Sequence, residues 1–364
     1  MDSIRTPMPQ VRADRSSEKF LGSIFRRGGG VRAHALLAAA ILFIVAAAAR
    51  AADDPDRIAK AKAEGQVVFY TTMGVDTSRP MTLAFEKKYP FLKVEVLRLN
   101  SERVFNRVVV EHQAGKVHAD VVNMSVMPLL KSKRLLATYR SPEAAAFPAK
   151  FRDPDDTWTG LVGNYLVIGY NTRLVPEANR PKDWFDLTLP WWKGKLAMDV
   201  EDFDWFGAML EYLGPEKGRR LMQGLAAQQL DWRKGHSLLA QLVSAGEFYG
   251  SFLYAHRTQL TRDRGAPIDW VKTSKPIVVS QNAVAVLDKA PRPNAARLLV
   301  DFLMSEPGQK LLYEGGQIPL RSRAVPASSP LAAEHLDLYP VSERVMERYE
   351  ELKKDFNATF GVKQ

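Results

Sequence analysis

The chain contains no cysteine. This excludes structural disulfides, thiolate metal sites, a cysteine nucleophile and a lipid-modified cysteine behind a leader. GxSxG, HExxH, P-loop and GxGxxG motifs are also missing, so the best-marked hydrolase, metalloprotease and nucleotide-binding classes lose their sequence support. Among the six histidines (His34, His112, His118, His236, His256 and His335), no two lie two to five residues apart, the usual spacing of a structural zinc site. Blocks of Lys and Arg, internal repeats and a second apolar run of membrane length are absent as well. Nucleic-acid binding therefore has little electrostatic basis. A secreted hydrolase built from scattered His and Asp residues stays open as an alternative.

What is present first is an apolar run, Ala35 to Ala49, that follows Arg26, Arg27 and Arg32. It is shorter than the ~20 residues that span a bilayer as a helix. Ala49-Arg50-Ala51 behind it has the small-x-small pattern of a signal-peptidase site, so residues 1–51 read as a cleaved secretory leader and the protein as periplasmic. A retained membrane anchor is the alternative. Arg26-Arg27 is followed by three glycines instead of the apolar residue that the twin-arginine route prefers. The leader holds 8 of the 51 Lys and Arg and 3 of the 41 Asp and Glu, so its removal lowers the net charge from +10 to +5. At ~100 to 200 residues per domain, residues 52–364 suffice for two globular domains.

Apolar runs of strand length alternate with helical periodicity along residues 55–123. A helix over 55–63 precedes a strand over 66–70, a helix over 77–89, a strand over 93–99, a helix over 101–114 and a strand over 119–123. That alternation predicts a parallel sheet covered on both faces. Residues 161–170 are long for one strand and contain Gly163 and Gly169, so the crossover between domains is expected there. A second α/β region follows, with strands over 195–199 and 248–254 and helices over 206–213, 215–227, 238–245 and 256–264. The chain then returns to strand from Pro276, runs through helices over 294–304 and 307–313, and closes with an amphipathic helix over 341–356.

Ligands in such sheets sit at the carboxyl ends of strands. That rule selects Tyr70, Thr71 and Thr72 after the first strand and Ser125 after the third, with Glu201, Asp204 and Trp205 in the acidic turn Glu201-Asp202-Phe203-Asp204. Asn164, Tyr165, His236, Tyr254 and His256 complete the candidate set. Seven of them have a structural alternative: turn and cap hydrogen bonds for Thr71, Thr72 and Ser125, the helix N-cap for Asp204, interlobe core for Tyr165 and Trp205, and a merely solvated ring for His236.

Glu64-Gly65-Gln66-Val67-Val68-Phe69-Tyr70-Thr71-Thr72, Ala119-Asp120-Val121-Val122 and Ile168-Gly169-Tyr170-Asn171-Thr172 open a series of matching segments. Trp192-Lys193-Gly194-Lys195, Ala245-Gly246-Glu247, Pro291-Arg292-Pro293-Asn294-Ala295-Ala296 and Phe302-Leu303-Met304-Ser305-Glu306-Pro307-Gly308-Gln309 continue it. In order and spacing the chain resembles periplasmic solute-binding proteins of ABC importers, in the group that contains the ferric-ion-binding proteins. The resemblance implies the type II α/β fold. Two α/β lobes are joined by crossing strands, with a ligand cleft between them.

It also implies a lobe 1 built from residues 52–163 and 276–325, a lobe 2 from 164–275, and a C-terminal helical segment over 326–364. The implied partners are a small-molecule or metal-ion ligand and an inner-membrane permease, with the receptor a monomer. No cofactor is implied, and Fe(III) would be cargo. Ferric-binding members use a His or Tyr from the first loop, often a Glu from the second, and an adjacent Tyr pair. Here those places read Thr71-Thr72-Met73, Met124-Ser125 and Phe252-Leu253-Tyr254-Ala255-His256. The expected function is capture of a ferric ion, its complex or a small organic ion for delivery to the permease.

Overall fold

The computed structural model describes residues 54–362, so the leader expected over 1–51 lies outside the described residues. Helix α1 (Pro55–Glu64) begins where the Asp54 carboxylate accepts the Asp56 N–H, and it stops at Gly65, whose φ of 71° is a left-handed cap. Strand β1 (Gln66–Thr71), α2 (Val75–Lys88), β2 (Lys93–Arg98), α3 (Ser101–Gln113), β3 (Val121–Met124) and α4 (Met127–Ser132) follow. The predicted β/α alternation is thus present. The long apolar run becomes a single strand, β4 (Thr159–Asn171), with an irregularity between Gly160 and Val162. Gly163 in this strand leaves room for the Tyr165 ring, which would lie 2.7 Å from any Cβ there.

The second α/β region contains β5 (Leu196–Asp199), α5 (Phe203–Ala226), β6 (Asp231–Arg233), α6 (His236–Ala245), β7 (Gly250–Tyr254), α7 (Ala255–Asp263) and β8 (Ile268–Trp270). The two helices expected over 206–227 join end to end as α5, broken at Gly214 (φ 75°) just before Pro215. Strand β9 (Ile277–Val286), α8 (Pro293–Met304) and α9 (Glu306–Glu314) return the chain to the first region. The C-terminal segment expected to be helical carries, in its described part, a strand, β10 (Leu338–Pro340), and two helices, α10 (Glu343–Glu347) and α11 (Tyr349–Phe360), replace the single closing helix. The break falls at Arg348. Among the described residues no helix is long and apolar enough to cross a membrane.

Among the described residues ten strands form one sheet in the order β2-β1-β3-β9-β4-β7-β5-β6, with β8 added to β4 and β10 to β9. Strands β1, β2 and β3 are mutually parallel, as are β5, β6 and β7, while β4 and β9 run antiparallel to each other through the middle. One core gathers Phe69, Phe85, Val121, Leu299 and Leu303. A second gathers Trp184, Trp192, Trp205, Phe252 and Phe356. Phe356 of α11 packs edge-on against Phe203 and Phe206, which fixes the C-terminal helices to α5. The fold is the two-lobed type II arrangement.

Candidate functional site

Register alone locates the cleft. Met124, the last residue of β3, lies opposite Ala283 of β9, and Tyr254, the last of β7, lies opposite Leu166 of β4. Asn164 of β4 pairs with Ser280 of β9 between these points. Because β3 and β7 approach from opposite directions, their carboxyl ends meet on either side of the Asn164 pairing, and ligands of open α/β sheets bind at such ends. Asn164, half-buried, lies between these strand ends. Its neighbour Tyr165 points to the other side of the strand and is 1% exposed in the first core, so it is not a cleft wall.

The same alternation corrects the first wall. Tyr70 packs towards α3 with Val104 and Val108, and its hydroxyl bonds Glu111 at 2.8 Å and accepts from Arg107 Nε at 3.1 Å, so it belongs to the outer face. Thr71 is fully buried; its hydroxyl donates to Asn123 Oδ1 (3.1 Å) and accepts the Met73 N–H (3.1 Å). The turn reading therefore holds for Thr71. Thr72 is different, because its Oγ1 is buried with no hydrogen-bond partner. The Ser125 N–H donates to Ser101 Oγ (3.2 Å), and the two hydroxyls lie 2.9 Å apart.

On the second wall, Asp199 ends β5 and fastens two loops. Its Oδ1 accepts the Glu201 N–H at 2.9 Å and its Oδ2 the Gly235 N–H at 2.5 Å. Glu201 is exposed and meets Lys234 at 2.7 Å. Asp202, 3% exposed, places Oδ1 3.1 Å from His236 Nε2, while its Oδ2 is buried with no partner. Burial lifts the Asp202 pKa to about 6 against the pull of His236, and Asp199 and Asp204 add to the lift. Asp204 is not the helix cap, since Asp202 occupies that position; it lies in the first turn of α5, where a negative charge suits the helix dipole. Trp205 is fully buried against Trp184 and Phe252, so it is core and not wall.

His236 opens α6, and Tyr254 and His256 flank the start of α7. The three rings form a column: His236 and Tyr254 centroids are 3.9 Å apart, and Tyr254 and His256 are 5.8 Å apart with planes 15° from parallel. Burial pushes the Tyr254 phenol well above its ordinary pKa, and the charges of Asp204, Asp202, Asp199 and Glu201 push it further. Burial lowers His256 to about 3, and its Nδ1 has no partner. At the rim, Glu102 of α3 lies within electrostatic reach of both Lys234 and Tyr349.

Of the candidates, the structure groups Glu201, Asp204, His236, Tyr254 and His256 on one side, sets Thr72, Ser125 and Asn164 at or between the strand ends, and packs Tyr70, Thr71, Tyr165 and Trp205 into buried faces. Ser101, Asp199, Lys234, Glu102 and Tyr349 neighbour these residues and were not among the candidates. Asp202 was visible in the acidic turn, but nothing local announced its bond to His236, 34 residues on. The Tyr254-Ala255-His256 segment carries a single tyrosine where the resemblance led us to expect an adjacent pair. Its phenol holds its proton more tightly than a free one, which opposes the tyrosinate that Fe(III) favours. Among the described residues no three His, Asp or Glu side chains are grouped to hold a metal ion.

Fold and cleft together define a two-lobed solute receptor. The chain belongs to the family of bacterial extracellular solute-binding proteins, whose model matches residues 117–337. It is 23% identical over 283 residues to the Fe(3+)-binding periplasmic protein of Serratia marcescens, an alignment covering 74% of this chain and 82% of the relative. Among solved structures it resembles iron-bound HitA from Pseudomonas aeruginosa (TM-score 0.70, 21% identity, 80% of this chain and 99% of that one). It equally resembles AfuA from Actinobacillus pleuropneumoniae with fructose-6-phosphate bound (TM-score 0.69, 22% identity, 82% of this chain and 99% of that one).

Proposed function

We propose that this protein is the periplasmic substrate-binding component of an ABC importer: a monomer that closes on a small solute and delivers it to an inner-membrane permease, with no covalent chemistry of its own. The observation that carries this reading is the meeting of the β3 and β7 carboxyl ends over the Asn164–Ser280 pairing, with polar groups converging from both lobes. Strands β4 and β9 are then the hinge about which the lobes move. The relatives support transport but leave the cargo open, since one is named for Fe(3+) and one neighbour holds fructose-6-phosphate. A ferric complex and a small organic ion are both compatible with that family.

The hydrolase alternative has no support in the cleft. Ser101 and Ser125 bond to each other, and His236 is held by the Asp202 carboxylate and the Phe252 carbonyl, so neither serine has an imidazole base. The test is native mass spectrometry of protein purified without added ligand, followed by small-angle scattering with and without the identified solute. A co-purifying small molecule and a smaller radius of gyration are expected. Turnover of a generic ester or phosphate substrate, with no compaction at saturating solute, would overturn the reading.

A further inference from the structure

We propose that a second ligand site, separate from the cleft, lies behind the crossing strand β4 and takes a small carboxylate with a compact apolar body. The site is a cavity of about 250 Å³ bounded by the turn at residues 148–151, by the loop after α9 (residues 319–325) and by residues 333–334, with Tyr165 of β4 reaching it from the sheet. At ~30 Å³ each, about eight water molecules would fill it. The sheet itself shapes this space. The Gly163 N–H donates to the Ile318 carbonyl at 2.9 Å and the Leu320 N–H to the Leu161 carbonyl at 3.1 Å, which lays residues 318–320 along β4. A Cβ on Gly163 would lie 2.7 Å from the Tyr165 ring and 3.0 Å from Leu320, so glycine there lets the ring lie close against the strand. Tyr165 thereby points away from the Asn164 side of β4 and into the cavity.

Three features of the lining select the ligand. Tyr165 is 1% exposed, and its hydroxyl has no hydrogen-bond partner among the described residues. Burial raises its pKa and the Glu334 charge adds to the rise, so the hydroxyl keeps its proton and offers a donor. An unpartnered buried donor is costly, and an acceptor in the cavity removes that cost. The walls are apolar: Phe151, Leu320 and Val325, together with Pro148 and Pro319. The charged side chains that line the cavity are Lys150, Arg321, Arg323 and Glu334. Arg321 is paired with Glu143 at 2.7 Å. Lys150 Nζ, 5.4 Å from the centre of the Phe151 ring, donates to the Leu338 carbonyl at 3.0 Å and keeps two N–H donors and its charge. Arg323 and Glu334 are exposed and form no ion pair among the described residues. Two free cations thus face one free carboxylate. A carboxylate ligand accepts the phenol hydrogen bond and answers the excess positive charge, while its apolar body covers the walls. A neutral amide of the same shape meets only the hydroxyl and the walls, and inorganic phosphate has no apolar body to bury.

The experiment is calorimetric titration of the purified protein with benzoate, isovalerate, leucine, benzamide and inorganic phosphate, on wild type, Tyr165→Phe, Arg323→Ala and Glu334→Gln. Tyr165→Phe removes only an unpartnered hydroxyl, and Arg323 and Glu334 are exposed, so all three variants should fold, which circular dichroism checks. Benzoate or isovalerate is expected to bind, with benzamide and phosphate weaker by about tenfold or more. Tyr165→Phe should weaken the carboxylate about tenfold, because a hydrogen bond to a charged acceptor is lost. Arg323→Ala should weaken it about threefold and Glu334→Gln should tighten it by a similar factor, since both charges are exposed. Carboxylate binding that is indifferent to Tyr165→Phe and Arg323→Ala lies elsewhere on the protein and overturns the site. Leucine binding in preference to the carboxylates, weakened by Glu334→Gln, makes the ligand a zwitterion and overturns the carboxylate assignment. Failure of every probe to bind at millimolar concentration overturns the proposal, and none of these outcomes touches the receptor reading, because the cavity shares no residue with the cleft.

Discussion

His236 and Asp202 form an ion pair whose protonation is written in its geometry. His236 Nε2 lies 3.1 Å from an Asp202 carboxylate oxygen, and Nδ1 lies 3.2 Å from the Phe252 carbonyl oxygen. With Asp202 ionised both partners are acceptors, so both ring nitrogens donate and the ring is an imidazolium. Burial works against that charge, yet the attraction and hydrogen bond of Asp202, helped by Asp199, raise the His236 pKa to about 9. Two turns far apart in sequence are thereby joined into one wall, with the Asp199 carboxylate as a second tie.

The two cleft histidines should titrate in opposite directions. His236 is raised from 6.5 to about 9, so the stability it contributes is complete below pH 6.5 and is lost as the pH rises through about 9. His256 is lowered from 6.5 to about 3, so its contribution is present above pH 6.5 and is lost as the pH falls through about 3. Imidazole nitrogen shifts followed by NMR should show one ring charged at pH 8 and one neutral at pH 5. Replacing His256 by Phe should flatten the acid side of the melting-temperature profile, and an unchanged acid side would contradict the assignment.

Asp199→Ala should cost about 3 kcal/mol of stability, because it removes the charged acceptor of two backbone N–H groups in a site that water hardly reaches. Urea denaturation measures this. A loss under about 0.5 kcal/mol would mean that the turns do not depend on the carboxylate.

Lys131 of α4 reaches Glu343 of α10 at 3.3 Å while also bonding Asp153 and Asp155. On its other side α10 is tied to α5 by the Ser342 hydroxyl, which donates to Glu211 at 2.7 Å. Glu343 is partly exposed, so Glu343→Gln should change stability by less than about 1 kcal/mol. It should nevertheless enlarge the radius of gyration of the ligand-free protein, since a link between α4 and the C-terminal helices is weakened. A radius equal to that of wild type would remove this contact from the closure equilibrium.

Trp205→Ala should destabilise the protein by about 3 to 5 kcal/mol, as expected when a fully buried indole between Trp184 and Phe252 is deleted. Tyr70→Phe, whose hydroxyl meets only Glu111 and Arg107, should leave solute affinity unchanged. Calorimetric titration separates the two, and a tenfold loss of affinity in Tyr70→Phe would return that residue to the cleft.

By itself the sequence determined the alternation of strands and helices, because a period of two or 3.6 is a property of neighbouring residues and needs no tertiary contact. The same local signal placed the carboxyl ends of β1, β3, β5 and β7, and with them Thr72, Ser125, Asp204 and Tyr254. It did not determine which face of a strand meets the ligand. Tyr70 and Thr71 are adjacent and point oppositely, and only the packing of α3 against one side of β1 put Tyr70 outside. For Tyr165 and Asn164, the pairing of β4 with β9 made the same choice. Strands of three residues, β6, β8 and β10, carry too few side chains for a period and exist only through their partners in the sheet. The Asp202–His236 pair belongs to the same class: a contact spanning 34 residues is created when β5, β6 and β7 align in parallel. Tertiary structure thus decided the electrostatics of the cleft, because charge and burial depend on what folding brings near.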